Sequence, residues 1–140
     1  LQVIARHSAE SDGIVAVNPG VEITFPAITC SGRRYVSHFL QAFPLVMGYA
    51  GQEAQSAIPE RRWFVDRYKR ILWEDVEANR PRLLLVDANT GRWNLPDTMS
   101  ALTWLRAEGF FRGDGPGRDY ELVERTVNRI AVFRRRDRAD

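Results

Sequence analysis

With 140 residues, 44% of them hydrophobic and 27% charged, the chain has the length of one domain and the balance of a globular one. That excludes disorder, collagen and coiled coil. A net charge of +2 is too small to imply a nucleic-acid partner. Lys69 is the single lysine among 20 basic residues, and the arginines are interleaved with Asp and Glu, as on a solvated surface. Cys30 is the only cysteine, so neither an intrachain disulfide nor a Cys-based zinc site can form. Its setting, Ala27-Ile28-Thr29-Cys30-Ser31, predicts a buried structural thiol.

Residues 2–11 read as a weak helix that ends at Asp12-Gly13. The chain starts with Leu1 inside that helical pattern, which suggests a piece of a longer protein. Ile14-Val15-Ala16-Val17 is a short unbroken apolar run closed by Asn18-Pro19-Gly20, the pattern of a strand buried on both faces. Residues 26–30 suggest a second strand, ending at Ser31-Gly32. From Arg33 to Gln52 the chain is aromatic and irregular, because Pro44 and Gly48 interrupt the roughly fourfold spacing of Tyr35, Phe39, Phe43 and Tyr49.

Residues 59–79 carry the strongest helical signal. Pro59 suits a first turn, and Phe64, Tyr68, Leu72 and Val76 recur every four residues, flanked by Val65 and Ile71. The carboxylates of this stretch, Asp75 among them, read as solvent-facing, with Arg62–Asp66 and Asp66–Arg70 as supporting pairs. Asn79-Arg80-Pro81 stops the helix, and Leu83-Leu84-Leu85-Val86-Asp87 is a second buried-strand signature. Residues 98–108 predict a helix capped by Thr98 or Ser100, with Phe110 and Phe111 folding back onto the core. Tyr120–Val127 and Ile130–Arg136 predict a hairpin joined by the two residues Asn128-Arg129.

Buried strands separated by helices imply βαβ crossovers. The expected fold is therefore α/β: a three-layer sandwich around a mixed, mainly parallel sheet, with the terminal hairpin as an antiparallel edge.

Open α/β sheets bind ligands at the carboxyl ends of their strands. This makes Asp87, and Asn18 after the earlier strand, candidate ligand contacts, although both also stand in ordinary turn sequences. His38, among Tyr35, Phe39 and Phe43, is a third candidate, beside its reading as a packing histidine. No GxGxxG, GxxxxGK[ST] or GxSxG occurs, no metal-ligand spacing stands out, and no cofactor is implied. The run Arg134-Arg135-Arg136-Asp137-Arg138 reads as a solvated tail or as a contact to anionic lipid. Phe39, Phe43, Leu45 and Met47 lie in an uncharged stretch and could form an apolar patch facing a membrane or a partner domain.

The landmarks recur in a particular order. Ile14–Val17 is followed by Phe25-Pro26-Ala27-Ile28-Thr29-Cys30-Ser31-Gly32, Tyr35-Val36-Ser37-His38-Phe39 and Phe43-Pro44-Leu45. Then come Arg80-Pro81-Arg82 with Leu83–Asp87, Trp104-Leu105, Phe110-Phe111, Tyr120 and Val132-Phe133-Arg134-Arg135. This order resembles the C-terminal soluble region of polytopic bacterial membrane proteins akin to the dolichyl-phosphate-mannose-type, polyprenyl-phosphate-dependent glycosyltransferases of the glycosyltransferase-C superfamily. The resemblance implies a multi-spanning membrane part preceding Leu1 and a position for this domain on the periplasmic face of the inner membrane. It also implies a catalytic carboxylate in the membrane part, so that no residue here inherits a catalytic role. The implied partners are the membrane part of the same polypeptide and a lipid-linked sugar or anionic lipid.

The sequence reading is thus a non-catalytic domain that shapes or docks onto the acceptor or lipid-linked sugar site of a membrane glycosyltransferase. The alternative is a stand-alone α/β enzyme or small-ligand-binding domain that uses the strand ends near Asp87.

Overall fold

The computed structural model describes residues 2–20, 24–52 and 57–137. A five-stranded mixed sheet has the order β2-β1-β3-β5-β4. β1 (Gly13–Val17) and β3 (Leu83–Asp87) are parallel neighbours, paired from Ile14 with Leu83 to Val17 with Val86. All of Ile14–Val17 and Leu83–Asp87 is buried, as expected for unalternating apolar runs. β2 (Arg34–Tyr35) adds a two-residue parallel edge on β1. β4 (Tyr120–Arg125) and β5 (Ile130–Arg135) form the expected hairpin, and β5 pairs antiparallel with β3 along its whole length. With so short a β2, antiparallel pairing outweighs parallel pairing.

Alternation along the strands feeds two cores. Val15, Val17, Leu84, Val86, Ala131 and Phe133 pack with α3 (Phe43–Tyr49), α4 (Arg62–Asn79) and α5 (Ala101–Ala107). Ile14, Ala16, Leu83, Leu85, Ile130 and Val132 pack on the other side with Ile4 of α1 (Gln2–His7) and Ile28 of α2 (Phe25–Ser31). Helices therefore cover both faces of the sheet.

Several expectations are corrected. Residues 26–30 form not a strand but α2, in which Pro26 takes the first turn and Gly32 closes the helix at φ 70°, the usual asymmetry of helix ends. The helix turns Cys30 outward, so the thiol is exposed. The segment expected to be irregular contains β2 and α3. Pro44 lies in the first turn of α3 rather than in its interior, and Gly48 is buried against Val65.

On α4, after a 3-10 turn at Pro59–Arg61, the buried positions are Val65, Tyr68, Leu72, Asp75 and Val76. Asp75 is 3% exposed and is not a surface carboxylate. Arg62 does reach Asp66 at 4.0 Å, but Arg70 pairs with Glu74 at 3.6 Å instead of with Asp66. Ser100 is the cap of α5: its hydroxyl accepts from Thr103 N, and the Thr103 hydroxyl accepts from Ser100 N, closing both ends of a capping box.

The hairpin connection is longer than two residues. Thr126 N donates to Ile130 O and Arg129 N to Thr126 O, leaving Val127, Asn128 and Arg129 as a three-residue loop. Arg129 is left-handed at φ 57°, the geometry of a turn followed by a bulge.

Candidate functional site

Asn18 and Asp87 directly follow Val17 and end β3, respectively, so they sit side by side where the parallel pair stops. Both are 1% exposed. Each side chain divides its work. Asn18 Oδ1 accepts from Gly20 N at 3.1 Å, and Asp87 Oδ1 accepts from Asn89 N at 2.8 Å and Asn89 Nδ2 at 2.6 Å. These are the turn-forming roles that their sequence settings imply. Among the described residues, Asn18 Nδ2 and Asp87 Oδ2 are left buried without a partner. Thr24, 2% exposed at the start of α2, also has its hydroxyl buried and unpartnered.

An unmade hydrogen bond on a buried polar atom costs about 1–3 kcal/mol, more if the group is charged. Three such atoms near one sheet edge therefore call for an explanation. The strand pleat relates them. Asp87 pairs with Ile130, which belongs to the α1–α2 side of the sheet, and the alternation carried one residue beyond Val17 puts Asn18 on that side too. A cavity of about 290 Å³ opens there, lined by Thr24, Ala27, Leu85, Thr126, Asn128 and Ile130 among others. Its walls are mainly apolar, and Thr24 supplies a buried hydroxyl. Of the three residues Thr24 lines this cavity; Asn18 and Asp87 lie on the same side of the sheet but are not among its lining residues.

His38 lies elsewhere, on the chain leaving β2. Its ring is 77% exposed, but Nδ1 stands 2.5 Å from Oδ1 of the buried Asp75. Asp75 Oδ2 accepts from His38 N at 2.8 Å and from the Ser37 hydroxyl at 2.9 Å. Tyr35, beside this cluster, donates its hydroxyl to Phe39 O and to Ala16 O, and burial pushes it up to about 12. Sequence reasoning missed Asp75. The available signal was its place three residues after Leu72, which continues the Val65, Tyr68, Leu72 spacing of the buried face.

The apolar segment divides. Phe43 is 46% exposed and Leu40 59%; Phe39 and Met47 are half-buried. Leu45 is fully buried. It cannot belong to an outward patch, because α3 packs the face bearing Leu45, Gly48 and Tyr49 inward. Of the basic run, Arg134 and Arg135 end β5; Arg134 and Arg136 reach Glu121 at 3.0 and 3.8 Å, and Asp137 pairs with Arg82 at 2.5 Å. Arg138 lies outside the described residues.

Among the described residues no group of three or more His, Cys, Asp and Glu could hold a metal ion, and no helix is long and apolar enough to cross a membrane. Comparison with family models, curated proteins and solved structures finds no match to this chain.

Proposed function

We propose that this chain is a non-catalytic binding domain whose carboxyl-edge site holds a hydroxyl-bearing ligand, as part of a larger membrane glycosyltransferase. The observation that carries the reading is the set of three buried polar atoms without a partner among the described residues, Asn18 Nδ2, Thr24 Oγ1 and Asp87 Oδ2, near the sheet edge where α/β folds bind ligands. A sugar hydroxyl donates to a carboxylate and accepts from an amide at once, and the apolar cavity wall suits the less polar face of a sugar ring. In this reading the layers run α1 and α2, the sheet, then α3, α4 and α5, a three-layer α/β arrangement with the ligand between the sheet edge and the α1–α2 layer. The link to a membrane transferase, on the periplasmic face and acting on a lipid-linked sugar, rests on the ordered landmarks of the sequence.

Titration of the chain with methyl α-D-mannopyranoside and methyl β-D-glucopyranoside, followed by amide NMR, tests the binding. Saturable shifts at Asn18, Thr24 and Asp87 are expected, and Asp87→Asn and Thr24→Val should weaken binding at least tenfold. The absence of saturable shifts with either glycoside overturns the sugar reading. Turnover of a sugar phosphate or ester that is lost on Asp87→Ala would instead favour a stand-alone enzyme built on the same edge. The full-length gene tests the membrane link: several apolar spans encoded before Leu1 support it, and a soluble sequence there removes it.

A further inference from the structure

We propose that His38 and Arg34 form a second site, separate from the carboxyl edge, which binds a phosphate monoester group. Asp75 is the organising element. Its carboxylate, 3% exposed, takes three donors from the chain leaving β2: the Ser37 hydroxyl, the His38 amide and His38 Nδ1. These bonds hold the imidazole with Nδ1 turned inward, while a ring 77% exposed leaves Nε2 as the nitrogen available to a ligand. Orientation of one ring nitrogen by a buried carboxylate is how proteins present the other for recognition or chemistry.

Arg34 lines the same pocket of about 340 Å³, together with Tyr35, Ser37, His38, Asp75 and Asn79. Its neighbour Arg33 is fully engaged, donating to Ser31 O at 2.6 Å and to Ser8 O at 2.8 Å. The Arg34 guanidinium has no such protein partner among the described residues. The other donors of the pocket are engaged within the chain: Asn79 Nδ2 donates to Val36 O and Asp75 O, and the Tyr35 hydroxyl to Phe39 O and Ala16 O. The groups left to an anion are a guanidinium fork and an imidazole nitrogen.

A phosphate monoester matches both. Its oxygens fit the planar fork of arginine. Its other oxygens can accept from an imidazole N–H, and a protonated phosphate oxygen can donate to an imidazole nitrogen. A neutral polyol offers the fork no charge, so this site and the carboxyl edge select different ligands.

The test uses the chain with sn-glycerol 3-phosphate as the soluble probe and phosphatidic acid in phosphatidylcholine vesicles as the lipid-borne one. The readout is the imidazole nitrogen spectrum of His38 and the apparent Kd. A saturable shift of Nε2 is expected, with at least tenfold weaker binding in Arg34→Gln, an exposed position, and in His38→Gln, whose backbone amide still bonds Asp75 and whose fold is checked by an unchanged amide spectrum of the core. Asp87→Asn should leave this binding unchanged, which separates it from the sugar reading. Binding of the soluble probe identifies a free monoester, and binding of the vesicles alone identifies a lipid headgroup; either result supports the site. No shift with either probe, or an affinity in both variants unchanged from that of the parent chain, overturns it.

Discussion

A Cβ atom on Gly48 of α3 would stand 2.3 Å from Cγ2 of Val65 on α4, so the two helices meet at a distance that only a glycine permits. In an open helix Gly48→Ala would gain up to about 1 kcal/mol in propensity. Here the added methyl meets a β-branched side chain whose χ1 is locked by its own helix, and overpacking costs about 1–3 kcal/mol. The clash wins. Gly48→Ala should lower the denaturation midpoint at unchanged m-value. Val65→Ala, which costs stability by itself, should cost less when combined with Gly48→Ala. Additive losses in the double-mutant cycle would show that the contact does not limit the approach of α3.

Arg129 gives the opposite sign. It holds φ 57° in the hairpin loop, where an L side chain costs about 1–2 kcal/mol. Glycine removes that strain and returns part of the gain as backbone entropy. The structural bonds there are made by backbone groups, Arg129 N to Thr126 O and Ala88 N to Arg129 O, so nothing is lost with the side chain. Arg129→Gly should stabilise the chain by about 0.5–1 kcal/mol, read as a higher Tm in calorimetry. A lower Tm would refute the strain argument.

Tyrosine ionisation sets the alkaline limit. Burial raises the hydroxyl of Tyr35 to about 12 and pushes those of Tyr68 and Tyr120 up as well. Each ionises at about 10 once the chain is unfolded. The folded state therefore binds more protons above pH 10, and stability falls as pH rises. The contribution of Tyr35 is fully present below pH 10 and is lost progressively as pH rises through about 12. Urea midpoints measured from pH 8 to 12 should be flat up to about pH 10 and then decline. A Tyr35→Phe variant should decline less steeply over that interval, whereas an identical slope would remove Tyr35 from the account.

Local pattern by itself determined the two central strands, the long helix, the α5 helix and the closing hairpin. Ile14–Val17 and Leu83–Val86 are unbroken apolar runs that only a doubly covered strand can bury, and the period of Tyr68, Leu72 and Val76 admits one helical face. It also marked Asn18 and Asp87 as residues at the carboxyl edge. What it misread turns on tertiary context. Pro26-Ala27-Ile28-Thr29-Cys30 has strand-like composition, yet Pro26 in a first turn and Gly32 at the close serve a helix once Ile28 has a sheet face to cover. Gly48 looks like a helix breaker until Val65 is set against it. Asp75 looks solvated among its charged neighbours until Ser37 and His38, nearly forty residues earlier, supply the donors that let a carboxylate be buried. Turn chemistry explains one atom each of Asn18 and Asp87. Only the sheet register, which joins β1 to β3 across a separation of roughly seventy residues, decided that the two residues stand side by side, each with one side-chain atom left without a partner among the described residues, because hydrogen-bond satisfaction is a property of the assembled surroundings and not of the local chain.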